Sequence, residues 1–109
     1  PVNRGIFVST YAKLAEGITF SDVVAAYHQT YDDKYFVRVL NDGLLPDLHS
    51  VVGTNFTDIG LGYNELTNTL TVVTVIDNLV KGAAGQAIQN MNHFFDFDEK
   101  AGLDLVPIL

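Results

Sequence analysis

The chain has 109 residues, a net charge of −7 and no cysteine. A surface of that sign repels phosphate backbones, so nucleic acid is not an expected partner. Without cysteine the chain has no disulfide, no thiolate zinc site and no thiol nucleophile of its own, and no metal site is expected. Hydrophobic residues make up 48% of the chain, with seven Phe and five Tyr, which argues for a packed core rather than disorder. No apolar run approaches the ~20 residues of a membrane span, and no signal-peptide pattern opens the chain. The length predicts one domain, residues 1–109. Residue 1 is proline, which points to a piece cut from something longer.

In chain order, residues 5–12 are β-branched and aromatic and predict a strand. Their blurred alternation predicts a strand covered on both faces. Thr19 and Asp22 have the spacing of a capping box, with Asp in place of Glu. Phe20, Val23, Val24, Tyr27 and Tyr31 then fall on one helical stripe. His28 lies off that stripe and reads as a surface residue. Residues 35–40 predict a short strand, stopped by the turn residues Asn41, Asp42 and Gly43. Residues 44–47 contain Pro46 and read as loop, and 48–52 as a further short strand, interrupted by Gly53, Thr54 and Asn55.

Residues 56–63 predict a strand with Gly60 and Gly62 on one face and Ile59, Leu61 and Tyr63 on the other. Glycines on one strand face suggest that a helix or another chain comes close there. After a connection at 64–68, residues 70–76 are apolar on both faces and predict a central strand, paired with its predecessor as a long hairpin. The apolar tail 103–109 calls for burial. The pattern β-α-β-β-β-β-α predicts an α+β fold: a mixed, mostly antiparallel sheet with helices packed on one face.

The stretch 77–92 follows the central strand. Asp77 or Asn78 can cap a helix there. Val80, Ala84, Ala87, Ile88 and Met91 predict its buried face. Gly82, Ala83, Ala84 and Gly85 nearly strip one section of side chains. Two interior glycines cost about 1 kcal/mol each relative to alanine. Close approach of another backbone or of a ligand would offset that. Two readings follow: a helix packed tightly on the sheet, or a helix N-terminus facing an anionic or amide-bearing ligand with Lys81 nearby. The stretch is neither a Walker A loop nor a dinucleotide-binding glycine fingerprint.

As a run, residues 76–92 closely resemble the C-terminal signature of the N-acetyl-gamma-glutamyl-phosphate reductase family, relatives of aspartate-semialdehyde dehydrogenase. Pro1-Val2-Asn3-Arg4-Gly5-Ile6 is similar to that family's P-x-x-R-G-I. The runs 36–39 and 52–56 and the closing Gly102-Leu103 stand in the family's order. The resemblance spans nearly the whole chain, but only the C-terminal part of such an enzyme is present.

The resemblance implies the fold of the C-terminal domain of glyceraldehyde-3-phosphate dehydrogenase, with a sheet that supplies the subunit interface, hence a homo-oligomer. It implies a cytoplasmic enzyme of arginine biosynthesis that reduces a small-molecule acyl phosphate with NADPH. In that chemistry a cysteine thiolate attacks the acyl phosphate and a histidine assists. Both lie upstream of P-x-x-R-G-I in the family, as does the nucleotide-binding domain. His28, His49 and His93 match no catalytic position, so no catalytic residue is assigned and the isolated chain is expected to be inactive.

The resemblance places Asn78, with Gly82 and Gly85, at the nicotinamide end of NADP, where an amide can both donate and accept. The other reading of Asn78 is a helix cap. Arg4 is placed near the substrate mouth, where a guanidinium suits a carboxylate or phosphate; its other reading is a surface ion pair. Lys81 reads as solvent-facing rather than as a cofactor-phosphate contact. Two alternatives remain: a non-catalytic dimerisation module, and a fragment of a sister aspartate-semialdehyde or aminoadipyl-phosphate reductase.

Overall fold

The computed structural model describes residues 2–41 and 43–107. Strands β1 (Ile6–Lys13), β2 (Val37–Val39), β3 (Thr57–Asn64) and β4 (Thr69–Ile76) form one sheet in the order β1-β4-β3-β2. Helix α1 spans Phe20–Tyr31 and helix α2 spans Gly85–Phe94. β3 and β4 form the expected hairpin, turned by Asn68 at φ 46°. β1 pairs antiparallel with β4, and β2 pairs parallel with β3, so the sheet is mixed and mostly antiparallel.

Residues directly opposite one another in a ladder share a face. Ile59, Leu61 and Tyr63 of β3 therefore lie on the same face as Val72, Thr74 and Ile76 of β4. α1 packs there: Phe20 stacks on Tyr63 with ring centroids 5.7 Å apart. The start of the second helical stretch lies over the same face, since a Cβ on Gly82 would sit 3.5 Å from Ile76 Cδ1 and 3.7 Å from Ile6 Cδ1. The helices thus share one face, as the α+β reading requires. The capping box forms as predicted: Asp22 N donates to the Thr19 hydroxyl and Thr19 N to the Asp22 carboxylate. Among the described residues the His28 ring meets Asp32 alone, at 2.8 Å, as a surface residue would.

The structure corrects four expectations. Residues 48–50 are a 3₁₀ turn, Leu48–Ser50, and not a strand. The Asp47 carboxylate accepts from His49 N at 2.9 Å and closes the turn, a local bond that outweighs the strand preference of Val51 and Val52. β1 is not covered on both faces: it is an edge strand, and all eight of its residues are exposed in this chain.

Close approach at Gly60 comes from a loop of the same chain rather than from a helix. A Cβ there would meet Pro46 Cδ at 2.6 Å and Leu44 O at 2.9 Å, so residues 44–46 need the empty space, while Gly62 has nothing within 4 Å. Finally, the helix after β4 opens with a π turn, Val80–Ala84, in which Gly82 N donates to Asp77 O and Ala84 N to Leu79 O. The wider turn moves the inward face on by one residue. Lys81, Gly85, Ile88 and Asn92 point inward, while Ala84, Ala87 and Met91 of the predicted face are exposed. Asn92 is buried and donates to Glu99 O and Ala101 O, tying α2 to the turn that follows it.

The tail is partly packed: Leu103 is buried and Val106 exposed. Asp42 of the expected turn, Pro1, and the tail's last two residues lie outside the described residues.

Candidate functional site

β4 delivers Asp77 to a fully buried position at the end of the sheet. Its two oxygens divide their work. Oδ1 accepts from Leu79 N at 2.7 Å and Val80 N at 2.9 Å, capping the helical stretch. Oδ2 accepts from Arg4 Nη2 at 2.5 Å and from Gly53 N at 2.7 Å. Burial by itself would raise this carboxyl, but the Gly53 N–H, the Arg4 guanidinium and the Leu79 and Val80 N–H groups together hold it down at about 2. It is therefore a buried charge at neutral pH, compensated by Arg4 and by backbone dipoles.

Next to it, Asn78 Oδ1 accepts from Gly5 N at 2.7 Å. Asn78 is therefore not the cap; Asp77 is. Among the described residues the Asn78 Nδ2 group donates to no partner, so one amide donor of this corner remains available. Arg4 spends one arm of its guanidinium on Asp77, and its Nε is buried without a partner among the described residues. Arg4 borders a cavity of about 640 Å³ whose wall includes Phe7, Leu45, Pro46, His49 and Val52. Arg4 and Asn78 are thus brought together, and Gly82 is exposed beside them.

Gly85 is buried further along, where a Cβ would lie 2.3 Å from Asn55 Oδ1 and 2.7 Å from Val80 O. Its missing side chain is explained by a neighbour within the chain. Asn55 is itself fully buried and donates to Gln89 Oε1, which also accepts from Lys81 Nζ at 2.7 Å. Lys81 is half-buried over the Phe36 ring, so it does not face solvent as expected. Burial pulls its ammonium below the usual lysine range, against the pull of Glu99.

Sequence reasoning missed Asn55, Gln89 and the Arg38–Asp58 pair. Asp58 is buried and takes Arg38 Nε and Nη2 at 2.6 and 2.9 Å, while the guanidinium also covers the Phe56 ring at 4.4 Å. A charged residue inside each of two otherwise apolar runs was the available signal. His28, His49 and His93 do not converge; only His49 borders the cavity.

The profile of the semialdehyde dehydrogenase dimerisation domain matches residues 1–78. The chain belongs to this family. Curated relatives extend the likeness beyond residue 78. The N-acetyl-gamma-glutamyl-phosphate reductase of Lactococcus lactis is 56% identical over 109 residues, which is 100% of this chain and 32% of the relative. That of Streptococcus thermophilus is 54% identical over 107 residues, covering 98% of this chain and 31% of the relative. That of Staphylococcus epidermidis is 54% identical over 108 residues, again 31% of its length. The chain spans about a third of the length of the curated relatives it matches. The expected mixed, mostly antiparallel sheet with two helices holds.

Proposed function

We propose that this chain is the C-terminal domain, residues 1–109, of an NADP-dependent reductase that converts N-acetyl-glutamyl phosphate to N-acetylglutamate semialdehyde in cytoplasmic arginine biosynthesis. The observation that carries this reading is the 54–56% identity to reductases of that name, sustained over 98–100% of the chain. The nucleotide-binding domain and the nucleophilic cysteine then belong to the remaining two thirds of the enzyme, because the chain itself contains no cysteine. When bound, NADPH supplies the hydride.

The contribution of this chain is binding and orientation. Asn78 fits a carboxamide partner: its oxygen is fixed on Gly5 N, which leaves the Nδ2 donor oriented and free to bond. Gly82 leaves the surface beside it bare. Gly85 lies further along the helix, packed against Asn55 and Val80 inside the chain. Arg4 offers the accessible guanidinium donors that Asp77 leaves unused to a carboxylate or phosphate. The family's dimerisation role supports self-association through the sheet.

The test is a fusion of this chain to the upstream two thirds of the Lactococcus lactis relative. The assay is phosphate-dependent reduction of NADP by N-acetylglutamate semialdehyde. The fusion should turn over and the 109-residue chain alone should not. A folded fusion that stays at the no-protein blank would overturn the reading, as would turnover by the chain alone.

A further inference from the structure

We propose that Asp77 is a positioning residue that locks the cofactor-side amide of Asn78 and the substrate-side guanidinium of Arg4 into one geometry, an inference that rests on the function proposed above. A helix cap needs one side-chain oxygen. Asp77 uses Oδ1 for that and commits Oδ2 elsewhere, to Arg4 and to the backbone of Gly53. One carboxylate therefore joins the segment before β1, the loop before β3 and the entry to α2.

The lacing runs in both directions. The side chain of residue 77 holds the side chain of residue 4, and the side chain of residue 78 holds the backbone of residue 5. Arg4 cannot move without uncovering a buried charge, which is costly. Asn78 cannot move without releasing Gly5, the residue next to Arg4. Displacement at either end is therefore transmitted to the other through Asp77.

The division between the oxygens supplies a selective variant. In Asp77→Asn the amide oxygen can still cap the helix, but an amide nitrogen in place of Oδ2 cannot accept from Arg4 or Gly53. In the fusion enzyme this variant should raise KM for NADP and KM for N-acetylglutamate semialdehyde together, each by about tenfold, with kcat changed far less. Asn78→Ala removes the acceptor of Gly5 N beside Arg4, so it should raise the NADP KM most and the N-acetylglutamate semialdehyde KM with it. Arg4→Lys reads the coupling from the other end: the NADP KM should rise although the altered side chain lies on the substrate side.

A second measurement uses the 109-residue chain and does not depend on activity. Amide exchange at Gly5, whose bond is to Asn78 and not to Asp77, should accelerate in Asp77→Asn together with exchange at Gly53. Unchanged KM values in both Asp77→Asn and Arg4→Lys would overturn the proposal, as would faster exchange at Gly53 with Gly5 unaffected. An inactive parent fusion would count against the proposed function only, and the exchange result would still decide the coupling. If Asp77→Asn fails to fold, Arg4→Lys and exchange at Gly5 in that variant carry the test.

Discussion

A Cβ on Gly85 would stand 2.3 Å from Asn55 Oδ1. It would also meet Val80 Cγ1 and Val80 O at 2.7 Å, so the obstruction is partly backbone and cannot swing away. Gly85→Ala should therefore destabilise the chain by about 1–3 kcal/mol, even though alanine is the better helix former by about 1 kcal/mol. Gly82→Ala is the control. Its Cβ would meet Asp77 O at 3.3 Å, a contact that a shift of a few tenths of an ångström would relieve, on an exposed turn. Urea unfolding of both variants checks this: equal losses, or a stable Gly85→Ala, would show that Asn55 and the π turn do not set the requirement.

This contrast also marks what was legible in the sequence. The α1 cap and stripe could be read because Thr19, Asp22 and the apolar residues act within a few positions of one another. The β3–β4 hairpin could be read for the same reason. The π turn could not, since a 3.6-residue period was assumed throughout 77–92 and one extra residue moves the inward set from Ala84 and Met91 to Gly85 and Asn92. The strand expected at 48–52 failed because the Asp47 carboxylate bonds locally to His49 N. Arg4 and Asn78 were singled out individually. Their link through Asp77 was not, because the Arg4–Asp77 bond joins residues 73 apart and no local pattern records it.

The buried carboxylate also predicts a pH dependence. Asp77 falls from the ordinary 3.8 to about 2 in the folded chain. A carboxyl lowered by folding adds stability that is complete above its unfolded value and is lost as pH falls through its folded value. The shift corresponds to about 2 kcal/mol, present at neutral pH and lost between about pH 4 and pH 2. Urea unfolding across that window should show a steeper loss for the parent than for Asp77→Asn, which has no carboxyl to protonate at that position. Parallel curves would mean that Asp77 carries no such linkage.

The Arg38–Asp58 pair makes a separate stability prediction. Asp58 is 2% exposed, and its two oxygens are held by Arg38 across neighbouring strands. Arg38→Ala leaves that charge buried and unpaired and should cost about 3 kcal/mol. Arg38→Ala with Asp58→Asn should recover part of the loss, because the stranded charge is gone. A single variant as stable as the parent, measured by urea unfolding, would show that water reaches Asp58 freely.

The last prediction concerns the sheet face opposite the helices. Gly60 and Gly62 share that face with Val73 and Thr71 of β4 and with Ser9 and Tyr11 of β1. Residues 44–46 cover Gly60, but a Cβ on Gly62 would meet nothing within 4 Å. Beside it Tyr11 is 68% exposed, a large aromatic on an open sheet surface. The family to which the chain belongs is described by its dimerisation domain, and a second copy laid on this face would bury both residues. Gly62→Glu separates the roles of fold and interface. Within one chain the new side chain has room and replaces a glycine that weakens the strand, so the unfolding midpoint should not fall. Across a face-to-face contact it would place two unpaired carboxylates in a desolvated surface, which opposes association strongly. Sedimentation at micromolar concentration should give a dimer or larger for the parent and a monomer for Gly62→Glu, with the same far-UV circular dichroism. A variant that still dimerises would move the interface away from Gly62, and a monomeric parent would remove self-association through the sheet from the proposed function.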